Sequence, residues 1–516
     1  MIPLVSSAEA LALDRKTEED WRLEEGVLME SAAQRLAHAV MEESLFSGGA
    51  HRRIVAAIGA GNNGGDALVL LRNLVFAGHS DCVALTPDRE LKSLPARKAA
   101  SLVAGGIPLL RWSSPAGRRA LAEADLVIDG IAGTGLSGPL VGELADFVHA
   151  INEGEVPVFS IDVPSGFRDG ADHDEPRIRA SCTLSIEPRK SCLYAPSLRP
   201  SAGRILPIPG VFPDRRPALE ELAHADSAIK GSPVGLLGPE DLPALRKLPS
   251  EWIHKGGRGR LAIFAGSPGM AGALFLAARA AQAAGAGLVT LFVRDELFDA
   301  LRAAAPESIG GAILRPESAA AHELFRNDAV LAGPGWGRDA SRNALLSFLL
   351  EADLPLVLDA DALRVYAELP RPPRQSPLIF TPHPGEFESL SGLPPHRVLA
   401  SPQGPLADLS AQSGACLALK SATTWIATPD GRFRVVAGGE AGLAVAGSGD
   451  VLAGLTAGLL TGYASRKEGI APDLAFGAIC LAVLVHLEAG RELRRGAGWF
   501  EASRLIAKAA QILGIP

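Results

Sequence analysis

Along this chain, short apolar runs stop abruptly at glycine or acidic residues and hand over to helix-like stretches. "RIVAAI" runs into "GAGNNGGD" (59–66) and then "ALVLLRNLVFAG". "ADLVIDG" ends in Asp129 and leads to "IAGTGLSGPL", and "VPVFSIDVPSGF" ends in Asp162. Short continuous apolar runs bounded by small residues read as strands buried on both faces. Strands alternating with helices predict a mostly parallel sheet with helices on both sides. In such sheets ligands sit beyond the carboxyl ends of the strands, where all three of these loops fall. Four glycines and two asparagines in "GAGNNGGD" predict a loop rather than a regular element.

The pattern returns in the second half, in "GRLAIFAG", "AGLVTLFV", "AVLAGPGWG", "LPLVLDADAL", "SPLIFTPHPGEF", "ACLALK" and "AGSGDVLAGLTAGLL". Between the halves lies the Pro-rich stretch "APSLRPSAGRILPIPGVFPDRR", followed by the breakers "KGSP" and "LGPEDLP". The 516 residues are about three times the usual domain size of ~150. We therefore expect two domains, 1–215 and 233–516, joined by a linker at 216–232.

A net charge of −8 leaves no electrostatic footprint for a nucleic-acid backbone. The five cysteines are scattered without a CxxC, which argues against a disulfide framework or structural zinc and fits a reducing compartment. The N-terminus becomes charged too early for a secretory signal. The longest apolar stretch, "LAFGAICLAVLV", is too short to cross a bilayer and reads as a buried helix. A cytoplasmic protein with neither nucleic-acid nor membrane partners is expected.

"AGSGD" (446–450) before an apolar helix is the sharpest single motif. Free N–H groups at a helix start make an anion hole, and an acid beside it suits proton removal from a hydroxyl during phosphoryl transfer. Alternatively, Asp450 simply caps its helix. "TPHPGEF" (381–387), "DADAL" (359–363) and "KSATT" (420–424) add polar clusters at further strand ends. Packing does not call for that convergence.

Taken together and in order, "HKGGRGRLAIFAGSPGMAGALFLAARAAQAAGAGLVTL", "GPGWG", "DADAL", "TPHPGEF", "LKSATT" and "GSGDVLAG" resemble the ADP- or ATP-dependent NAD(P)H-hydrate dehydratases, over about residues 235–510. That resemblance implies a ribokinase-like α/β domain acting on NADH or NADPH that has gained water at C6 (NADHX and NADPHX). The nucleotide, with Mg2+, phosphorylates the hydrate hydroxyl; phosphate, a better leaving group than water, then departs. It implies Asp450 as base, with Gly447 and Gly449 in the anion hole. Ala273, Gly337, His383 and Asp450 would contact the hydrate, and Lys420, Ser421, Ala422, Thr423, Thr424 and Gly449 the AMP part of ADP or ATP. This chain departs from the family pattern at Glu440, Ala446 and Ser421. An alanine at 446 would be strained at positive φ, and Glu440 would bring negative charge if it pointed inward.

The first half, about 1–212, resembles the NAD(P)H-hydrate epimerases through "LMESAA", "GAGNNGGD", "GTGLSGP", "IDVPSG" and Lys190 in "IEPRKSCL". The resemblance implies a Rossmann-like three-layer domain that interconverts the R and S hydrates and holds K+. Hydrate contacts would come from Asn62, Asn63, Gly64, Gly65 and Asp66. They would also come from Gly133, Thr134, Gly135, Leu136, Ser137, Gly138 and Pro139, and from Asp162 as acid–base group. Asn63, Asp129 and Ser165 offer only hard oxygen donors, suited to an alkali cation, and would hold the potassium. Ala67, where the family has a further glycine, would crowd the ligand loop if its methyl faced it.

Two other readings stay open on sequence. One is a ribokinase-like small-molecule kinase with a non-catalytic N-terminal nucleotide-binding domain. In the other the first half is a binding module that senses nicotinamide nucleotides. For the repair-enzyme reading a homo-oligomer is expected.

Overall fold

The structure is a computed structural model describing residues 1–43, 52–88, 91–211, 234–246, 252–303, 311–337, 339, 341–466 and 471–514. The expected linker, 216–232, lies outside the described residues. The chain divides into two compact units: Pro3–Pro233 with Leu399–Ser401, and Met1–Ile2 with Val234–Val398 and Pro402–Pro516.

In the first unit, β1 (Ile2–Val5) lies outside the main sheet. The sheet is built from β2 (Ile54–Ile58), β3 (Cys82–Thr86), β4 (Leu109–Arg111), β5 (Leu126–Gly130), β6 (Val158–Ile161) and β7 (Cys182–Ile186). The two-residue β8 (Arg189–Lys190) comes next in the chain, and β9 (Arg204–Ile208) completes the sheet. Its order is β4-β3-β2-β5-β6-β7-β9, parallel throughout. Alternate residues of β2 enter different cores. Ile54, Ala56 and Ile58 pack with the helices Glu25–Glu42 and Asn62–Phe76, while Val55 and Ala57 pack with Glu143–Glu153. A continuously apolar strand therefore serves both faces, and the unit is the expected three-layer, Rossmann-like sandwich. The strand order reverses between β2 and β5, so the crevice beyond their carboxyl ends is the place for a ligand. β8 pairs with β1, Val5 opposite Lys190, which ties the backbone of Lys190 to the start of the chain.

The second unit contributes β10 (Val234–Leu237), β11 (Arg260–Phe264), β12 (Leu288–Val293), β13 (Ile313–Pro316), β14 (Ala329–Ala332), β15 (Leu356–Leu358), β16 (Leu378–Phe380), β17 (Cys416–Leu419), β18 (Thr423–Ala427) and β19 (Phe433–Ala437). They lie in the order β13-β12-β11-β14-β15-β16-β17-β18-β19-β10. Pairing is parallel except for the antiparallel β17-β18-β19 meander. Again the order reverses, here between β11 and β14.

Small residues let the helix Ser448–Ser465 press against the helix Ala271–Ala283. A Cβ on Gly454 would lie 2.3 Å from the Ala277 carbonyl oxygen, and one on Gly458 2.4 Å from that of Ala281. Behind them runs Ala471–Ala497, which contains the "LAFGAICLAVLV" stretch. Its 25 residues Asp473–Ala497 are long and apolar enough to cross a membrane, but 83% of the most apolar window is buried inside the protein, as a core helix requires. All five cysteines are buried and unpaired.

Candidate active sites

The stretch read as a loop, "GAGNNGGD", is mostly helix: Asn62–Phe76 begins at its first asparagine, with Gly61 as N-cap. None of its four glycines takes positive φ, and three of them, Gly59, Gly64 and Gly65, are there for close approach. A Cβ on Gly59 would lie 1.7 Å from the Ile131 carbonyl oxygen, one on Gly64 2.1 Å from that of Gly59, and one on Gly65 2.5 Å from Met29 Cε. The helix is thereby drawn down onto β2 and β5, with its free N–H groups facing the crevice.

There a cavity of about 610 Å3 opens, the size of a cofactor pocket. Asn62, Asn63 and Asp66 line it from the helix start, Gly133, Thr134, Gly135 and Leu136 from the loop after β5, and Asp162 from the end of β6. Gly64 and Gly65 are buried beneath it. Ser137, Gly138 and Pro139 continue the β5 loop beyond the cavity lining. Ala67 is fully buried and absent from that lining. Its methyl faces the sheet, where a Cβ on Gly130 would lie only 2.5 Å away. The feared crowding does not arise, because Gly130 makes room for it.

Asp162 is held at φ +64, an uncommon conformation that marks a locally enforced position. Its Oδ1 accepts from Lys190 Nζ at 2.5 Å and from the Ile186 N–H at 3.2 Å, and Lys190 also donates to the Ile186 carbonyl at 2.9 Å. Burial pushes the Asp162 carboxyl up; Lys190 opposes that and Asp14 adds to it. Asp14, Arg15 and Glu18, on the helix Ser7–Trp21, also line the cavity. Sequence reasoning missed them, for their helix precedes the first strand–loop unit and carries no glycine signal.

Asp129 is fully buried below this floor. Its two oxygens accept from the Ile131 and Ser165 N–H groups and from the hydroxyls of Ser160 and Ser165. Ser165 Oγ also accepts from the Ala132 N–H at 2.8 Å. Burial raises the Asp129 carboxyl, and no cation is among its hydrogen-bond partners in the described residues. Asn63 packs beside Gly133, and its Nδ2 is buried without a hydrogen-bond partner; turned over, the amide would present oxygen there. Oxygen donors around one uncompensated carboxylate fit a monovalent cation.

In the second unit, Asp450 does not cap its helix. Gly447 does, at φ +89, and Asp450 is the third helical residue with no capping bond. Ala446 lies outside the positive-φ set, so its methyl costs no strain. Glu440 accepts from the Gly442 N–H at 2.9 Å, which engages its carboxylate within its own loop. Ser421 receives the Thr423 N–H at 3.3 Å and donates to the Thr423 carbonyl at 2.5 Å, tightening the turn into β18. The Ala422 carbonyl accepts from Gly438 and Gly439, and Thr424 Oγ1 reaches the Ser421 carbonyl at 3.5 Å.

Lys420 Nζ donates to Asp359 Oδ1 at 2.6 Å and lies 3.8 Å from Glu386 Oε2. It is also 3.6 Å from where a Cβ on Gly449 would be, so the ammonium sits over the first turn of the Asp450 helix. Burial pushes the Lys420 ammonium down, but Asp359, Glu386 and Asp450 outweigh it and hold its pKa above the ordinary value. Burial and Asp359 lift Asp450 to about 6 against the pull of Lys420. His383 Nδ1 accepts from the Gly385 and Glu386 N–H groups, while its Nε2 lies 3.2 Å from Glu386 Oε1. Burial and Lys420 lower its pKa, so the imidazole is neutral and oriented.

Ala273 and Gly337 belong to the wall formed after β11 and β14. A Cβ on Gly335 would lie 2.9 Å from that of Ala273, and the Gly337 N–H donates to Asp361 Oδ2 at 2.9 Å. Ala360, between the two acids of "DADAL", sits at φ +51, a conformation an alanine adopts only under constraint. His486 was not singled out from sequence: a lone histidine in an apolar helix has no pattern around it. Its Nε2 lies 3.0 Å from Ser448 Oγ and 3.1 Å from the Ser448 carbonyl, at the first residue of the Asp450 helix. Burial lowers its pKa to about 4.

Residues 261–511 match the family described as NAD(P)H-hydrate dehydratase, and residues 25–192 the one described as YjeF-related protein N-terminus. The bifunctional NAD(P)H-hydrate repair enzyme Nnr of Moorella thermoacetica is 33% identical over 525 residues, 96% of this chain and 93% of its own. The chain belongs to the family of bifunctional NAD(P)H-hydrate repair enzymes. The enzyme of the same name from Coxiella burnetii is 31% identical over 79% of this chain and 81% of its own. Among solved structures, the ADP/ATP-dependent NAD(P)H-hydrate dehydratase from Bacillus subtilis, co-crystallized with ATP/Mg2+, superposes with a TM-score of 0.47 at 27% identity, covering 54% of this chain and 97% of that one. Both members of the family pair, epimerase-type and dehydratase-type, are thus present in one chain.

Proposed function

We propose that residues 1–215 interconvert the R and S hydrates of NADH and NADPH, and that residues 233–516, beyond the linker at 216–232, dehydrate the S form at the expense of ADP or ATP. The observation that carries the second activity is the placement of Asp450 and the Lys420 ammonium together at one helix N-terminus. Asp450 takes the proton from the C6 hydroxyl as its oxygen attacks the terminal phosphorus. The N–H groups around Gly447 and Gly449, with Lys420, receive the charge of the transferred phosphoryl group. The C6–O bond then breaks with phosphate as leaving group, a proton leaves C5, and the dihydropyridine returns. Mg2+ enters as the counter-ion of the nucleotide substrate. Ala273, Gly337 and His383 hold the hydrate, and Lys420 to Thr424 with Gly449 the AMP part.

In the first half, C6 carries both the ring nitrogen and the hydroxyl, so inversion needs the bond from C6 to one of them to break and re-form on the other face. Asp162, oriented by Lys190, moves the proton at the hydroxyl. The helix start at Asn62–Asp66 and the loop Gly133–Pro139 hold the rest of the dinucleotide. A potassium ion held by Asn63, Asp129 and Ser165 would supply the positive charge that buried Asp129 lacks, and so fix the floor of the cavity. The protein works in the cytoplasm as a homo-oligomer.

The test is to incubate the full chain with mixed R and S hydrates, K+, Mg2+ and ADP or ATP, and to follow absorbance of the reduced nicotinamide. Complete recovery is expected. Recovery of the S fraction alone would remove the epimerase assignment. A phosphorylated product that persists would make the second half a kinase.

A further inference from the structure

We propose that Asp359 is a positioning residue of the dehydratase half: by binding Lys420, it keeps that ammonium off Asp450 and leaves Asp450 free to act as a base. This rests on the reading of Asp450 given above. The electrostatic difficulty is plain. A phosphoryl-transfer site needs a cation close to the attacking hydroxyl, yet a cation in contact with the base would hold it ionised and weakly basic.

The geometry resolves the conflict. Lys420 bonds Asp359 at 2.6 Å and approaches Glu386 at 3.8 Å, whereas Asp450 makes no ion pair among the described residues. Asp359 is itself fixed. It is buried at the end of β15, Thr381 Oγ1 donates to the same Oδ1 at 2.8 Å, and its backbone N–H donates to the Ala332 carbonyl at 3.1 Å. The strained Ala360 turns the chain immediately after it, so that Asp361 serves Gly337 instead. Lys420 is anchored from its other end, its N–H donating to the Pro382 carbonyl at 2.8 Å. The ammonium is therefore clamped over Gly449, where it meets a phosphate without first neutralising the acid one residue on.

The charged groups that act on Asp450 are Asp359 after β15 and Lys420 after β17. Glu386 lies beside Lys420, His383 and Arg364 act beside Glu386, and the neutral His486 lies behind Ser448. Asp359 repels the Asp450 carboxylate and Lys420 attracts it, so their removal has opposite signs.

The experiment measures kcat for S-NADPH hydrate against pH in the full chain and in Asp359→Asn, with nucleotide affinity and a thermal melt on each. Wild type should lose activity below about pH 6. In Asp359→Asn this acid limb should move down by about one pH unit, with kcat reduced roughly tenfold or more, as Lys420 turns to Asp450. Asp359→Glu should restore part of both. Lys420→Met, read by the same limb whatever its residual rate, should move it up, and it keeps the test open if Asp359→Asn fails to fold. A folded Asp359→Asn with lower kcat but an unmoved limb would overturn the proposal. So would a downward shift in Lys420→Met. A wild-type chain that dehydrates no hydrate would instead remove the function itself.

Discussion

Two aspartates, one in each half, the first buried and the second half-buried, face a lysine and meet it differently. Asp162 bonds Lys190 directly at 2.5 Å. Asp450 has Lys420 in its field, but that lysine is bonded to Asp359. The difference suits the chemistry proposed for each half. An acid that must both give and receive a proton at one hydroxyl can work within a fixed ion pair, which orients it. A base that removes a proton while the adjacent oxygen attacks a phosphorus must keep its lone pair uncommitted. The same residue types can thus be arranged for proton exchange or for phosphoryl transfer, according to which carboxylate claims the ammonium.

The largest effect that would test this contrast is Asp450→Asn. Dehydration of the S hydrate should fall by about 10²–10⁴-fold, as loss of a general base predicts, while R–S exchange continues unchanged. Chiral separation of the hydrates alongside nicotinamide absorbance reads both. Next comes Asp162→Ala: exchange should drop roughly a hundredfold or more, towards the spontaneous rate, while S-hydrate turnover stays intact. A first half that only binds nucleotides would show no loss in exchange. If either substitution silenced both reactions, the two aspartates would not belong to separate sites.

A smaller effect, on stability alone, sharpens what the glycines do in the two halves. Gly458→Ala drives a methyl to 2.4 Å from the Ala281 carbonyl, so two close-packed helices must separate. Overpacking of this kind costs about 1–3 kcal/mol, visible as a lower melting temperature of the second half. An unchanged melt would mean that the helix pair has slack to give.

Much of this was legible in the sequence. Apolar runs ending in Asp129, Asp162 and "DADAL" located the carboxyl ends of parallel strands, where both candidate sites lie. The reversals of strand order, at β2/β5 and β11/β14, depend on pairings between strands distant in the chain, which local pattern does not carry. Nor did composition reveal that Asn62–Asp66 begin a helix. Glycine signals freedom in φ as readily as lack of bulk, and Gly59, Gly64 and Gly65 are there for the second reason. "KSATT" and "DADAL" were both visible as polar clusters. Their lysine–aspartate bond joins residues 61 apart and became visible only with the sheet assembled.

The smallest expected effect concerns Ala67, where sequence suggested a methyl crowding the hydrate. The methyl instead points from a helix interior onto Gly130 of β5, away from the cavity. Ala67→Gly should therefore leave R–S exchange within about twofold of wild type. It should lower stability by about 1 kcal/mol through lost helix propensity, a melting shift of roughly 2–4 °C for a unit of this size. Gly130→Ala probes the same contact from the other side: its Cβ would meet Ala67 Cβ at 2.5 Å and the Asn63 carbonyl at 2.9 Å. Because that second contact shifts the backbone of Asn63, this change should slow exchange as well as destabilise, which Ala67→Gly should not. A several-fold rise in exchange for Ala67→Gly would mean that the methyl does restrain the helix start, and that the first site is tuned by packing beneath its floor rather than by the Asp162–Lys190 pair alone.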